Sequence, residues 1–152
     1  KLEFEDISNI FVNQGPGNFS GLRASIAIAK GVSISKNLNL FGYNTFLWSC
    51  AKFFNKKDFI YSIVRFRDRY FIKKFDTNLN DILKAEEISV GDIISKHEKN
   101  LKIINKDEIK YFDKKILDLS NISPIDLDHN DLEFLKIKGL LSEKSIKPLY
   151  LS

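Results

Sequence analysis

The sequence predicts a mixed α/β fold, and three observations carry that expectation. A hydrophobic run, a glycine turn and a long helical pattern follow one another between residues 7 and 37. A second strand and helix pattern succeeds them over 38–54, and two strand-like runs around a short charged loop fill 59–75. Segments that switch in this way between a period of 2 and a period of 3.6 belong to sheets covered by helices.

Residues 7–13 hold Ile7, Ile10, Phe11 and Val12, the β-branched and aromatic content of a buried strand. The run Gly15-Pro16-Gly17-Asn18-Phe19-Ser20-Gly21 then turns the chain. Gly15 and Gly17 flank a proline of fixed φ, so the chain can reverse where a Cβ would clash. Such a turn points backbone N–H groups outward at a helix start, which suits either an anion or nothing beyond the turn itself. No Gly-Lys-Ser or Gly-Lys-Thr follows, and the glycine spacing is not that of a dinucleotide fingerprint.

Residues 20–37 contain no proline and predict a helix capped by Asn18 or Ser20. At about 100° per residue, Ser20, Ala24, Ala27, Gly31 and Ser35 share one face, flanked by Ile28 and Val32. Roughly opposite lie Leu22, Ile26, Ala29 and Ser33, with Arg23 and Lys30 along one edge. A helix on a sheet needs one apolar stripe, so a second implies a further cover: a neighbouring helix or a partner protein.

Further on, 38–44 reads as a short strand and Thr45 as the cap of an apolar helix through Phe54. Asn55-Lys56-Lys57-Asp58 is a polar break and the expected lobe boundary, dividing 1–55 from 56–152. Strands at 59–64 and 70–75 enclose Arg65, Arg67 and Arg69, whose interleaving with Phe66, Tyr70 and Phe71 is chemistry for gripping phosphate and stacking bases. A solvated hairpin tip is the plainer reading of the same residues. Ser89 is expected to start a helix to Lys99, 101–104 to be a strand, 108–119 and 131–141 to be helices, and 147–151 to be strand-like. Asp126, Asp128 and Asp131 lack the glycine and glutamate of a calcium loop and read as helix caps.

The chain of 152 residues carries a net charge of +4 and has no long uncharged run, so no membrane span is expected. Cys50 is the only cysteine, which excludes an internal disulfide and a cysteine-based zinc site and suits a reducing, cytoplasmic setting. His97 and His129 are the only histidines and do not form a His-x-x-x-His pair, so no metal site is expected.

The run from Gly15 to Arg23, continuing to Ala29-Lys30-Gly31, resembles the Gly-Pro-Gly-Ser-Phe-Thr-Gly-Leu-Arg…Ala-Lys-Gly signature of the TsaB (YeaZ) family. The end, Pro148-Leu149-Tyr150-Leu151, is similar to that family's Pro-x-Tyr-Leu-Arg, with Ser152 at the arginine, and Arg65 stands where an acidic residue is usual. The resemblance implies an actin-like (ASKHA, ribonuclease H-like) fold, with further amino-terminal strands and a first phosphate loop preceding a chain that begins at Lys1 without a methionine. It also implies a non-catalytic subunit that pairs with TsaD in forming threonylcarbamoyladenosine (t6A) at adenosine 37 of tRNA. A TsaE-like ATPase is a further expected partner and tRNA an indirect one, with a homodimer in isolation left as an open alternative.

On this reading Leu22, Arg23, Ile26, Ala29, Lys30 and Ser33 form the partner interface, and Arg65, Arg67 and Arg69 are candidates for nucleic-acid contact. No cofactor is expected on this chain alone, ATP acting at the level of the complex. The alternative implied by the fold is an actin-like ATP-dependent enzyme such as a small-molecule kinase.

Overall fold

The computed structural model describes residues 3–151. Ser152, where the family has arginine, lies outside the described residues. Two sheets organise the chain. The first is a parallel pair, β1 (Asn9–Asn13) and β2 (Asn39–Tyr43), in the register Asn9 to Asn39 and Val12 to Gly42. Helix α1 (Phe19–Lys36) is the crossover between them. A parallel pair requires such a crossover, because two parallel strands cannot be joined by a tight hairpin. Asn37, in the left-handed conformation at φ 54°, ends the helix and turns the chain into β2.

The second sheet has five strands in the order β5-β4-β3-β6-β7. β3 (Phe59–Phe66) and β4 (Arg69–Asp76) form an antiparallel hairpin, and β5 (Glu86–Ile88) adds antiparallel to β4. On the other side β6 (Lys102–Asn105) runs parallel to β3 and β7 (Ile122–Ile125) parallel to β6. α2 (Thr45–Cys50) and α5 (Asn130–Ile137) cover one face, packing Phe46, Leu47, Cys50 and Leu135 on Ile60, Phe71, Phe75 and Ile103. α3 (Val90–His97) and α4 (Lys114–Leu117) cover the other, where Ile93 and Ile116 meet Ile63, Ile72 and Ile104. The alternation along β3, with Ile60 to one side and Ile63 to the other, follows from the period of 2 in a pleated strand.

The packing does not divide at 55/56. α2 precedes that point yet lies under the second sheet, because Phe46, Leu47 and Cys50 are too apolar to remain on a two-stranded sheet. The chain's end returns the other way: Ser142 bridges to Gly42, Ile146 packs on Val12 and Ile26, and the Leu149 N–H donates to the Gln14 carbonyl at 2.6 Å. The 147–151 segment therefore forms no regular strand, being held by single hydrogen bonds.

Other local expectations shift for identifiable reasons. Asn44, not Thr45, caps α2, its Oδ1 accepting from the Leu47 N–H at 2.9 Å, and the helix tightens to a 3-10 turn over Ala51–Phe53. The helix expected over 108–119 is a 3-10 turn, Lys106–Tyr111, then the short α4. The Asp113 N–H is diverted to the Tyr70 hydroxyl at 2.8 Å, while its carboxylate starts a new helix by accepting from the Lys115 N–H.

Candidate functional site

The turn after β1 is a packed object. Gly15 has φ 121°, a conformation open to glycine and costly for other residues. A Cβ there would lie 3.0 Å from Leu22 Cδ1. The Gly15 carbonyl accepts from the Thr45 N–H at 2.9 Å and its own N–H donates to Asn13 Oδ1 at 2.8 Å, so the turn is tied to the start of α2. Asn18 caps α1, its Oδ1 accepting from the Gly21 N–H at 3.2 Å. Of the two candidate caps named from sequence, Ser20 is already inside the helix.

The stripe expected to meet a partner is turned inward instead. Ile26 and Ala29 are buried with Val12 and Ile146, Leu22 is half-buried beneath Gly15 and Gly17, and the Ser33 hydroxyl donates to the Leu38 carbonyl at 2.6 Å. Arg23 and Lys30 stay on the surface. The face left open is the small-residue one, Ser20, Ala24, Ala27, Gly31 and Ser35, bordered by Ile28 at 66% and Ile34 at 83% exposure. The larger side chains are needed on the sheet side, where they fill the space above β1 and β2.

The three arginines separate. Arg67 and Asp68, both at positive φ (53° and 62°), make a two-residue turn of the kind that matches strand twist. Arg65 pairs with Asp68 at 2.6 Å and lies toward Tyr111, on the α3–α4 face of the sheet. Arg69 pairs with Glu87 at 2.9 Å. Arg67 lies over the Phe66 ring at 5.1 Å, without a carboxylate partner among the described residues. Arg67 and Arg69 line a cleft of about 170 Å³ together with Gly17, Phe19, Phe66 and Tyr150. Tyr150 stacks obliquely on Phe19, ring centres 5.4 Å apart. The structure thus joins the glycine turn, the hairpin and the closing Pro-Leu-Tyr-Leu, three stretches that were singled out separately. The Phe19–Tyr150 contact escaped the sequence reading; its signal was a tyrosine in a quoted motif to which no role was given.

Elsewhere several titratable groups are committed to structure. Burial pushes the Cys50 thiol up to about 12, against a weaker pull from Ser49, so it is inert as a nucleophile. Just ahead of α5, Asp128 accepts from the Asn130 N–H at 2.9 Å, which holds its carboxyl below the usual range, and Lys52 pairs with Asp131 at 2.6 Å. Lys102 is buried outright, its Nζ donating to the carbonyls of His97, Glu98, Asn100 and Ser120 at 2.7 to 3.0 Å. Burial, then the Lys102 charge, draws His97 below its ordinary value. Among the described residues no group of three His, Cys, Asp or Glu is placed to hold a metal, and no helix is long and apolar enough to cross a membrane.

Residues 1–122 match the family described as TsaD: tRNA N6-adenosine threonylcarbamoyltransferase. The chain belongs to this family. Within it, the relatives are TsaB proteins. The chain is 30% identical over 89 residues to the tRNA threonylcarbamoyladenosine biosynthesis protein TsaB of Buchnera aphidicola subsp. Acyrthosiphon pisum, a match over 57% of this chain and 40% of that protein. It is 38% identical over 45 residues to the TsaB of Buchnera aphidicola subsp. Schizaphis graminum, over 30% and 21% of the two chains. The matched stretch thus spans less than half of either curated relative.

In structure the chain is similar to YeaZ from Pseudomonas aeruginosa, with a TM-score of 0.64 at 12% identity over 99% of this chain and 77% of that one. A second Pseudomonas aeruginosa structure, of a protein with similarity to peptidase YEAZ, gives the same TM-score and identity over 76% of its length. The TsaB (YeaZ) resemblance and the actin-like fold expected from the glycine-turn signature are both upheld.

Proposed function

We propose that this TsaB-family chain is a non-catalytic assembly subunit that pairs with a TsaD-type subunit for t6A formation in tRNA. The observation carrying the reading is α1: one face is spent on β1 and β2, while the other presents a small-residue stripe edged by exposed Ile28 and Ile34. Small residues let a second helix backbone approach closely, and the flanking isoleucines supply apolar area to bury against it. The interface therefore moves from the stripe through Leu22 and Ile26 to the one through Ala27 and Gly31. The family name and the TsaB relatives support t6A biosynthesis as the setting, which implies a cytoplasmic protein meeting a TsaE-like ATPase and ATP at the level of the complex. In isolation the same face serves a homodimer.

Size-exclusion chromatography with light scattering, on the chain alone and mixed with a TsaD-type subunit, tests the reading. A heterodimer is expected, and Ala27→Glu should loosen it at least about tenfold, since an unpaired carboxylate would be buried. Absence of association at micromolar concentration, or an Ala27→Glu chain that pairs like its parent, would overturn it.

A further inference from the structure

We propose that the cleft between the glycine turn, the β3–β4 turn and Tyr150 binds one unstacked nucleotide of an RNA strand, its base against the Phe19–Tyr150 pair and its phosphate on Arg67. Phe19 and Tyr150 are 41% and 69% exposed, large areas for aromatic rings already in contact with each other. Their planes meet at 43° and, with Arg23 over Phe19, the more open ring is that of Tyr150; every base offers a π-face to such a platform. Cations flank the pair on both sides. Arg23 lies over the Phe19 ring at 5.4 Å and Arg67 over Phe66 at 5.1 Å, neither with a carboxylate partner among the described residues. Arg65 and Arg69, in the same hairpin, are neutralised by Asp68 and Glu87. Of the two arginines that line the cleft, Arg69 is paired and Arg67 is the one without a carboxylate partner among the described residues, held at the tip of a tight turn and presenting a planar fork suited to phosphate.

Size narrows the ligand. A cleft of about 170 Å³ lies below the roughly 300 Å³ at which pockets for whole drug-sized ligands begin. It suits one ring system with its backbone outside and is too small for an enclosed nucleoside triphosphate. The choice of RNA rests on the tRNA-modification reading above.

Fluorescence anisotropy with a labelled short single-stranded RNA, across a range of KCl concentrations, tests the site. Tyr150→Leu is expected to weaken binding about fivefold or more, with Tyr150→Phe restoring it, because stacking and not the hydroxyl is used. Arg67→Ala should lower the slope of log affinity against log salt by about 0.7, one single-strand phosphate contact. Lys99→Ala, an exposed cation outside the cleft, should leave affinity for the RNA unchanged. Circular dichroism on each variant separates loss of the site from loss of the fold.

Failure of the parent chain to bind RNA, or Tyr150→Leu and Arg67→Ala binding it as Lys99→Ala does, would overturn the inference. Loss of the TsaD-type subunit with RNA affinity intact in these variants would make the cleft a protein-docking surface and overturn it equally. RNA binding that depends on Tyr150 in a chain that forms no heterodimer would uphold the cleft and sink only the assembly reading.

Discussion

The two sheets are built to different degrees of completion. The five-stranded sheet is covered on both faces, and β4 alone buries Tyr70, Phe71, Ile72, Lys73 and Phe75. In the parallel pair only Val12 and Gly42 are buried: α1 and Ile146 cover one side, and on the other Phe11, Phe41 and Tyr43 pack, partly buried, against the core under α2 and α5. The larger sheet thus carries most of the fully buried side chains, and the smaller one leans on its core. The open face of α1 lies over the smaller sheet, while the cleft at Tyr150 lies between the turn after β1 and the β3–β4 hairpin of the larger one.

That contrast can be broken by unequal substitutions. Phe71→Ala, at a ring with no exposure in the centre of the large core, should cost about 3–5 kcal/mol in denaturant unfolding, a large share of an ordinary stability of about 5–15 kcal/mol. A cost under about 1 kcal/mol would mean that the large sheet is not the stable unit.

Cys50 probes the same core by pH. Its thiol titrates near 12 when folded, against an ordinary 9.0, so the folded chain holds the proton more tightly than the unfolded one. Stability is therefore fully present below about pH 9 and falls as pH rises toward 12, by at most about 1.4 kcal/mol per unit. Alkylation of native protein should be slow until the core opens, and a Cys50→Ala chain should lose this part of the alkaline dependence.

Asn18→Ala acts at the smaller sheet and should cost only about 1 kcal/mol, the loss of one helix cap. Hydrogen exchange should show the change confined to the first turns of α1. Protection lost across β3 and β4 as well would mean that the two sheets unfold as one.

Much of this was legible in the sequence, and what was not has a common cause. α1, its Asn18 cap, the Ser89 cap of α3 and the β3–β4 hairpin are decided by neighbours in the chain, and they appear where expected. β5 is three residues with two glutamates, and β7 contains Pro124. Such edge strands take their conformation from the partner strand rather than from propensity. The orientation of α1 was misread because two stripes of similar quality compete. Ile146 helps settle the contest, and it joins that cluster from the far end of the chain. The cleft was half legible: its arginines and its turn were named, but the tyrosine that closes it comes from another region of sequence. Lys102 reads as an ordinary surface lysine until four carbonyls are seen to converge on it.

The hydrogen bond between the Gln14 side chain and the Lys147 carbonyl joins residues 133 positions apart. During synthesis, β1, α1 and β2 leave the ribosome before the five-stranded sheet yet lack Ile146, while that sheet has all its strands by Ile125. The earlier-made of the two sheets is thus the later to be finished, and the open face of α1 is on display to neighbouring nascent chains throughout that interval.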